Sequence, residues 1–141
     1  MAELVALNSL LVAIVAIIHY EFLYRMSSLI QRMSIKHRFR ILACVFGALL
    51  AHAFEIWIFG FGYFFMSHFL GWGSLLGSSD GSVLDCGYFS FTTYTTIGFG
   101  DIVPSGNLRY LAGIEALTGL VLITWTASFL YIEMQRFWDD K

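Results

Sequence analysis

The chain has 141 residues, 58% hydrophobic and 18% aromatic, with only 13% charged residues, one proline and a formal net charge of −2. Soluble domains carry about a quarter charged residues, so this balance excludes an ordinary water-soluble domain and points to a bilayer as the solvent. The length fits one folded unit, and no linker or internal repeat divides it.

The first apolar run, Leu4 to Tyr24, is long enough to span, since a spanning helix needs about 20 apolar residues. No basic leader precedes it, because the only early charge is Glu3, and it exceeds the apolar core of a signal peptide; it reads as a permanent span. Arg25, Arg32, Lys36, Arg38 and Arg40 follow. Lys and Arg concentrate on the cytoplasmic side of membrane proteins. This loop is therefore expected inside, the N-terminus and the 70–107 region outside, and the C-terminus inside. Met26–Arg40 has two readings, a short basic interfacial helix and an ordinary positive-inside loop, of which the generality of the charge rule favours the second.

The second run, Ile41 to about Phe69, and the third, Leu108 to about Phe137, exceed what spanning requires, so tilt or protrusion is expected. Between them lie a Gly/Ser-rich surface loop, Gly71–Gly81, and an apolar segment, Leu84–Tyr94, too short to span. Non-helical backbone at membrane depth is tolerated only where protein buries it or where it lines a wet cavity. Leu84–Tyr94 is thus predicted as a short helix entering the membrane, with an extended Thr95–Asp101 returning from it. The carbonyl end of such a helix carries partial negative charge and favours a cation. Gly98 and Gly100 tolerate positive φ. Their alternation with Ile97 and Phe99 can aim successive carbonyl oxygens at one axis, and Thr96 adds a hydroxyl. Stacked rings of oxygen are what a dehydrating monovalent cation requires.

The stretch Thr96-Ile-Gly-Phe-Gly-Asp101 resembles the potassium-channel signature, commonly T-V-G-Y-G-D. The resemblance runs from about Leu84 to Phe137 and takes in "GYFSFTTYT", "DIVP" and the apolar helix that follows. The chain looks most like a small bacterial member of the pore-domain (two-helix ion channel) family. That resemblance implies an all-α membrane protein with three transmembrane helices, a re-entrant pore helix and a filter loop. Residues 1–40 would form an added span and basic loop. Residues 41–141 would form the pore domain, with outer helix 41–69, pore helix 84–94, filter 95–101 and inner helix 108–137. It further implies K+ bound by the carbonyls of Thr96, Ile97, Gly98 and Phe99 and by the Thr96 hydroxyl, with Gly100 and Asp101 completing the filter and its outer mouth. One loop supplies a quarter of such a ring, so a homotetramer is implied. The expected location is the bacterial inner membrane, in contact with lipid and with no nucleic-acid partner. Conduction is passive, so neither an enzyme nor a cofactor beyond the permeant K+ is expected.

Four residues depart from the family pattern. Phe99 lacks the hydroxyl of the usual Tyr, Tyr88 and Phe89 stand where many relatives place a tryptophan pair, and Thr92 stands where some carry a glutamate behind the filter. They bear on filter rigidity and on inactivation. A weakly selective cation channel and a non-conducting membrane subunit therefore stay open as alternatives.

Glu55 and Glu115 lie within spans, where an ionisable residue is a functional candidate by default. One reading has them hold the filter together with Thr92 and Thr95. The other has each make an interhelical hydrogen bond, protonated or paired with His52 one turn before Glu55, where Ala48, Ala51 and Gly62 let helices approach. Leu120, Thr124, Ala127 and Tyr131 recur at helical spacing and either line a cavity below the filter or pack against neighbours. Gly113 and Gly119 are hinge or packing positions. Cys44 and Cys86 should not meet. His19, His37, His52 and His68 have no ligand spacing along the chain, so no transition-metal site is expected. No span repeats Arg every third residue as a voltage sensor would, and no sensing domain is expected after Phe137.

Overall fold

The computed structural model describes residues 1–32, 34 and 37–138. Four helices, α1 (Ala2–Arg32), α2 (His37–His68), α3 (Val83–Tyr94) and α4 (Leu108–Trp138), enclose two short strands, β1 (Leu75–Gly77) and β2 (Ile102–Pro104). Helices α1, α2 and α4 are long and apolar enough to cross a membrane, with mean hydropathies of 2.1, 2.0 and 1.5. At 1.5 Å per residue each is about 45 Å long, against a hydrocarbon core of about 30 Å. All three therefore extend past the apolar layer, including the first.

That length corrects the reading of Met26–Arg40. Met26–Arg32 is neither a loop nor a separate interfacial helix but the continuation of α1. Met26 and Ile30 stay buried against Cys44 and Ala48 of α2, so tertiary packing carries the helix past the last residue of the apolar run. Met33, Ile35 and Lys36 lie outside the described residues.

Helix α3 is wedged between α2 and α4 because glycines remove side chains at the crossings. A Cβ at Gly60 would sit 3.1 Å from Gly87 Cα, and one at Gly87 would sit 2.9 Å from the Trp57 ring. Against α4 the approach is closer still, since a Cβ at Gly119 would fall 2.1 Å from the Tyr94 carbonyl oxygen. Phe59, Tyr63, Met66, Tyr94, Leu108 and Leu111 fill the core between these helices. Ser82 caps α3, its hydroxyl accepting from the Asp85 N–H.

The Gly71–Gly81 stretch, expected as a loop, contributes a strand. β1 pairs antiparallel with β2 in the register Leu75↔Pro104, Leu76↔Val103, Gly77↔Ile102. The Ser78 N–H extends the pairing by donating to the Asp101 carbonyl (2.9 Å). The pair anchors the far end of the 95–101 loop.

On α4, Leu108, Leu111, Glu115, Thr118, Leu122, Thr126 and Glu133 are buried, a stripe at helical spacing that faces the other helices. Leu117, Leu120, Val121 and Tyr131 lie open on the opposite face.

Candidate functional site

The 95–101 loop grows directly out of α3. Thr95 ends the helix with its N–H bonded to the Phe91 carbonyl and its hydroxyl 2.7 Å from the same oxygen. The Thr96 and Gly98 N–H groups then turn back to the carbonyls of Thr93 (2.9 Å) and Thr92 (3.1 Å). Backbone φ is +60° at Thr96, +54° at Gly98 and +81° at Gly100. Among the described residues Thr96 is the one non-glycine with positive φ, so Ile97 and Phe99 fall on the negative side. The sign of φ therefore alternates residue by residue. Such alternation turns successive carbonyls toward one side, where a regular strand would send them to opposite sides. A β-branched residue at positive φ is a real outlier; it costs about 1–2 kcal/mol and marks the loop as over-determined by its surroundings. The glycine expectation holds, and the Thr96 strain was not foreseen.

The side chains of this loop leave their own chain. Ile97 is 55% and Phe99 69% exposed, and nothing lies within 4 Å of a Cβ placed at Gly98 or Gly100. At the far end the Tyr88 phenol donates to Asp101 Oδ2 at 2.8 Å. That carboxylate holds the phenol's proton and raises its pKa above the ordinary phenol range. Tyr88 thus provides a polar tie for the loop although Phe99 has none, a role the sequence reading did not assign. Thr92 is buried, and its hydroxyl bonds back to the Phe89 carbonyl (3.0 Å).

Behind α3 lie two separate carboxyl clusters. Ser90 Oγ sits 2.7 Å from the Ile56 carbonyl oxygen and 2.5 Å from Glu115 Oε1, while Tyr63 donates its phenol proton to Glu115 Oε2 at 2.5 Å. Ser90 has one proton and the Ile56 carbonyl can only accept. All three contacts are hydrogen bonds when the Glu115 carboxyl itself donates to Ser90. Glu55 has the opposite inventory. His19 Nδ1 (2.8 Å) and His52 Nδ1 (2.9 Å) face its two oxygens, and the Tyr94 phenol donates to Oε2. Thr126 Oγ1 joins from α4, 3.0 Å from His52 Nε2 and 3.5 Å from His19 Nε2.

Glu115 bonds across helices to Ser90 of α3 and Tyr63 of α2. Glu55 bonds across helices to Tyr94 of α3 and His19 of α1, and pairs with His52 of its own helix. The interhelical bonds of the second reading are thus present. Glu55 and Glu115 share none of these partners. The fold brings together what spacing along the chain does not reveal. His19 and His52 are far apart in sequence, yet ligand-type atoms of His19, His52 and Glu55 lie within 4.8 Å of one another.

The remaining candidates divide by location. Leu120, Thr124, Ala127 and Tyr131 are all exposed on the open face of α4. The Thr124 hydroxyl is engaged with the Leu120 and Val121 carbonyls of its own helix. Gly119 is the α3 crossing, whereas no atom lies within 4 Å of a Cβ placed at Gly113, and α4 runs unbroken through both. Cys44 and Cys86 are free, buried thiols in different clusters. Glu133, not singled out from the sequence, is buried and accepts from Ser27 of α1 (2.7 Å) and Arg136 (3.1 Å). Its place on the Glu115 stripe was the available signal.

A family model described as "Ion channel" matches residues 51–136, which takes in α3, the 95–101 loop and most of α4 but leaves out α1. Over 57 residues the chain is 39% identical to the inward rectifier potassium channel Kirbac3.1 of Paramagnetospirillum magnetotacticum, a match covering 40% of this chain. The matched part spans 19% of that protein's length. No solved structure matches the chain.

Proposed function

The chain belongs to the two-helix ion-channel family, and we propose that it is the subunit of a homotetrameric, potassium-selective channel of the bacterial inner membrane. With three apolar helices it is an integral membrane protein. The observation that carries the reading is the alternation of φ along Thr96–Gly100. A cation that sheds its water needs oxygen dipoles on all sides. Alternating backbone lets the carbonyls of Thr96, Ile97, Gly98 and Phe99 face it while the side chains face away. One chain supplies one wall, and four around an axis complete each ring.

In the tetramer α3 enters the membrane with its carbonyl end toward the ion, adding partial negative charge there. The exposed Ile97 and Phe99 side chains are then covered by neighbouring subunits, and the open α4 face is turned to the axis. Leu120, Thr124, Ala127 and Tyr131 line the cavity below the filter. Tyr88 holds Asp101 at the outer mouth, and the basic ends of α1 and α2 face the cytoplasm. Glu115 and Glu55 support the filter from behind through Ser90 and Tyr94. Transport is passive and requires no catalytic group.

Flux of K+, Rb+ and Na+ into liposomes tests the proposal, with Gly98→Ala as control because a Cβ at φ +54° is strained whatever the space around it. K+ and Rb+ flux well above Na+, abolished in Gly98→Ala, is expected. Equal K+ and Na+ flux would select a weakly selective cation channel, consistent with the missing Phe99 hydroxyl. Absence of all flux would favour a non-conducting subunit.

A further inference from the structure

The cluster around Glu55 holds more close polar contacts than its protons can connect. His52 Nδ1 is 2.9 Å from Glu55 Oε2 and 3.0 Å from the Tyr94 phenol oxygen, and that phenol bonds the same carboxylate oxygen. This triangle has three edges but two protons, one on the ring nitrogen and one on the phenol. His19 Nδ1 completes the group at the other oxygen, 2.8 Å away. The His19 and Glu55 side chains have no exposure and His52 only 15%.

We infer that this cluster is a binding site for a divalent transition-metal cation of the Zn2+ type. His19 Nδ1, His52 Nδ1 and a Glu55 oxygen are the protein ligands, and the Tyr94 phenol stands beside the remaining position. Two imidazoles and a carboxylate suit a borderline cation, whereas Mg2+ and Ca2+ take oxygen ligands. Metal–ligand bonds of about 2.0–2.2 Å require the hydrogen-bonded N–O pairs to open by roughly half an ångström, a small side-chain adjustment.

The hydrogen bonding of the far ring nitrogens supports this assignment independently. The far nitrogens of both rings converge on one atom, Thr126 Oγ1, at 3.0 and 3.5 Å. When a metal takes Nδ1, each neutral ring keeps its proton on Nε2, and a hydroxyl oxygen has two lone pairs to accept both. Ligating histidines characteristically have such a partner on the other nitrogen. Protons move only within the rings, and the cation offsets a carboxylate that is costly within a membrane.

The site also gives α1 a task. α1 lies outside the family-matched segment, yet it supplies His19, and the metal would join it to α2 beside Tyr94, two residues before Thr96. Any effect on conduction rests on the proposed pore; the binding itself does not.

The test uses the full chain, purified in detergent and stripped with a chelator. It is titrated with Co2+ for visible absorption and with Zn2+ by calorimetry. One metal per chain with the strong visible bands of four-coordinate Co2+ is expected. Saturable binding should be lost in His19→Gln, and Thr126→Val should retain the bands with about 10–100-fold weaker affinity. Failure of the parent protein to bind either metal stoichiometrically would overturn the inference, as would unchanged affinity in His19→Gln. The cluster would then be a hydrogen-bonded clamp only. The parent's spectrum decides the matter even if a variant does not fold, and liposome K+ flux, measured separately, reports on the pore reading alone.

Discussion

Gly119→Ala and Gly113→Ala are the same substitution in the same helix, and the structure predicts opposite outcomes. A Cβ at Gly119 would lie 2.1 Å from the Tyr94 carbonyl oxygen, 2.9 Å from its carbonyl carbon and 3.0 Å from its Cγ. Ordinary contact begins near 3.4 Å, so α3 and α4 must separate by about 1 Å at this crossing. The nearest atoms are backbone, so no rotamer change relieves them. Tyr94 is also tethered, its phenol bonded to Glu55. Overpacking of this kind costs about 1–3 kcal/mol or more, a fall of roughly 5- to 160-fold in the folded-to-unfolded ratio. At Gly113 no atom lies within 4 Å of the added methyl, and replacing a helical glycine by alanine gains up to about 1 kcal/mol. Thermal unfolding of the detergent-solubilised protein, followed by tryptophan fluorescence, should show the first variant less stable and the second unchanged or improved. Ion flux should fall in Gly119→Ala because the displaced Tyr94 carries the Thr95–Asp101 loop with it. Parental stability and flux in Gly119→Ala would refute the close crossing and leave the hinge reading of this glycine in its place.

Further outcomes follow from the polar contacts. Glu115→Gln keeps one acceptor for Tyr63 and one donor for Ser90, so its unfolding midpoint should shift by the equivalent of about 1 kcal/mol or less. Glu115→Ala leaves the buried Tyr63 phenol without its acceptor, at about 1–3 kcal/mol, while Ser90 keeps its bond to the Ile56 carbonyl; equal damage from both substitutions would contradict the donating carboxyl. The infrared band of a protonated carboxyl should be present in the parent and absent in Glu115→Gln. Tyr88 should titrate above the ordinary phenol range and return toward it in Asp101→Asn, read by ultraviolet absorption. Its contact with Asp101 belongs to the neutral phenol, so it is complete below the ordinary phenol pKa and disappears as pH rises through the raised value. Ser82→Ala removes the cap of α3 and should cost about 1 kcal/mol in the same unfolding assay.

The elements that depend on local chemistry were legible in the sequence. The three spans follow from runs of apolar residues that water excludes, and the break into a short α3 followed by irregular backbone follows from length. Positive φ at Gly98 and Gly100 follows from the absence of a Cβ. Thr96 escaped because nothing in a threonine announces a left-handed backbone; the flanking hydrogen bonds to Thr92 and Thr93 accompany it there. The continuation of α1 through Arg32 escaped for a similar reason, since burial of Ile30 against α2 depends on how two helices pair.

Side chains brought together from different helices were beyond periodicity or spacing. Glu55 and Glu115 could be flagged because a carboxyl in a span is costly, but which donors satisfied each depended on the rotation of four helices about their axes. That rotation alone sets His19 of α1 against Glu55 of α2, turns Thr126 of α4 onto both imidazoles, and places Tyr94 over Gly119. Composition and motif determined that this chain lies in a membrane and carries a short helix followed by a glycine-bearing irregular loop. Tertiary packing decided what holds that loop from behind, because a buried polar group is satisfied by whichever partner the fold delivers within hydrogen-bonding distance.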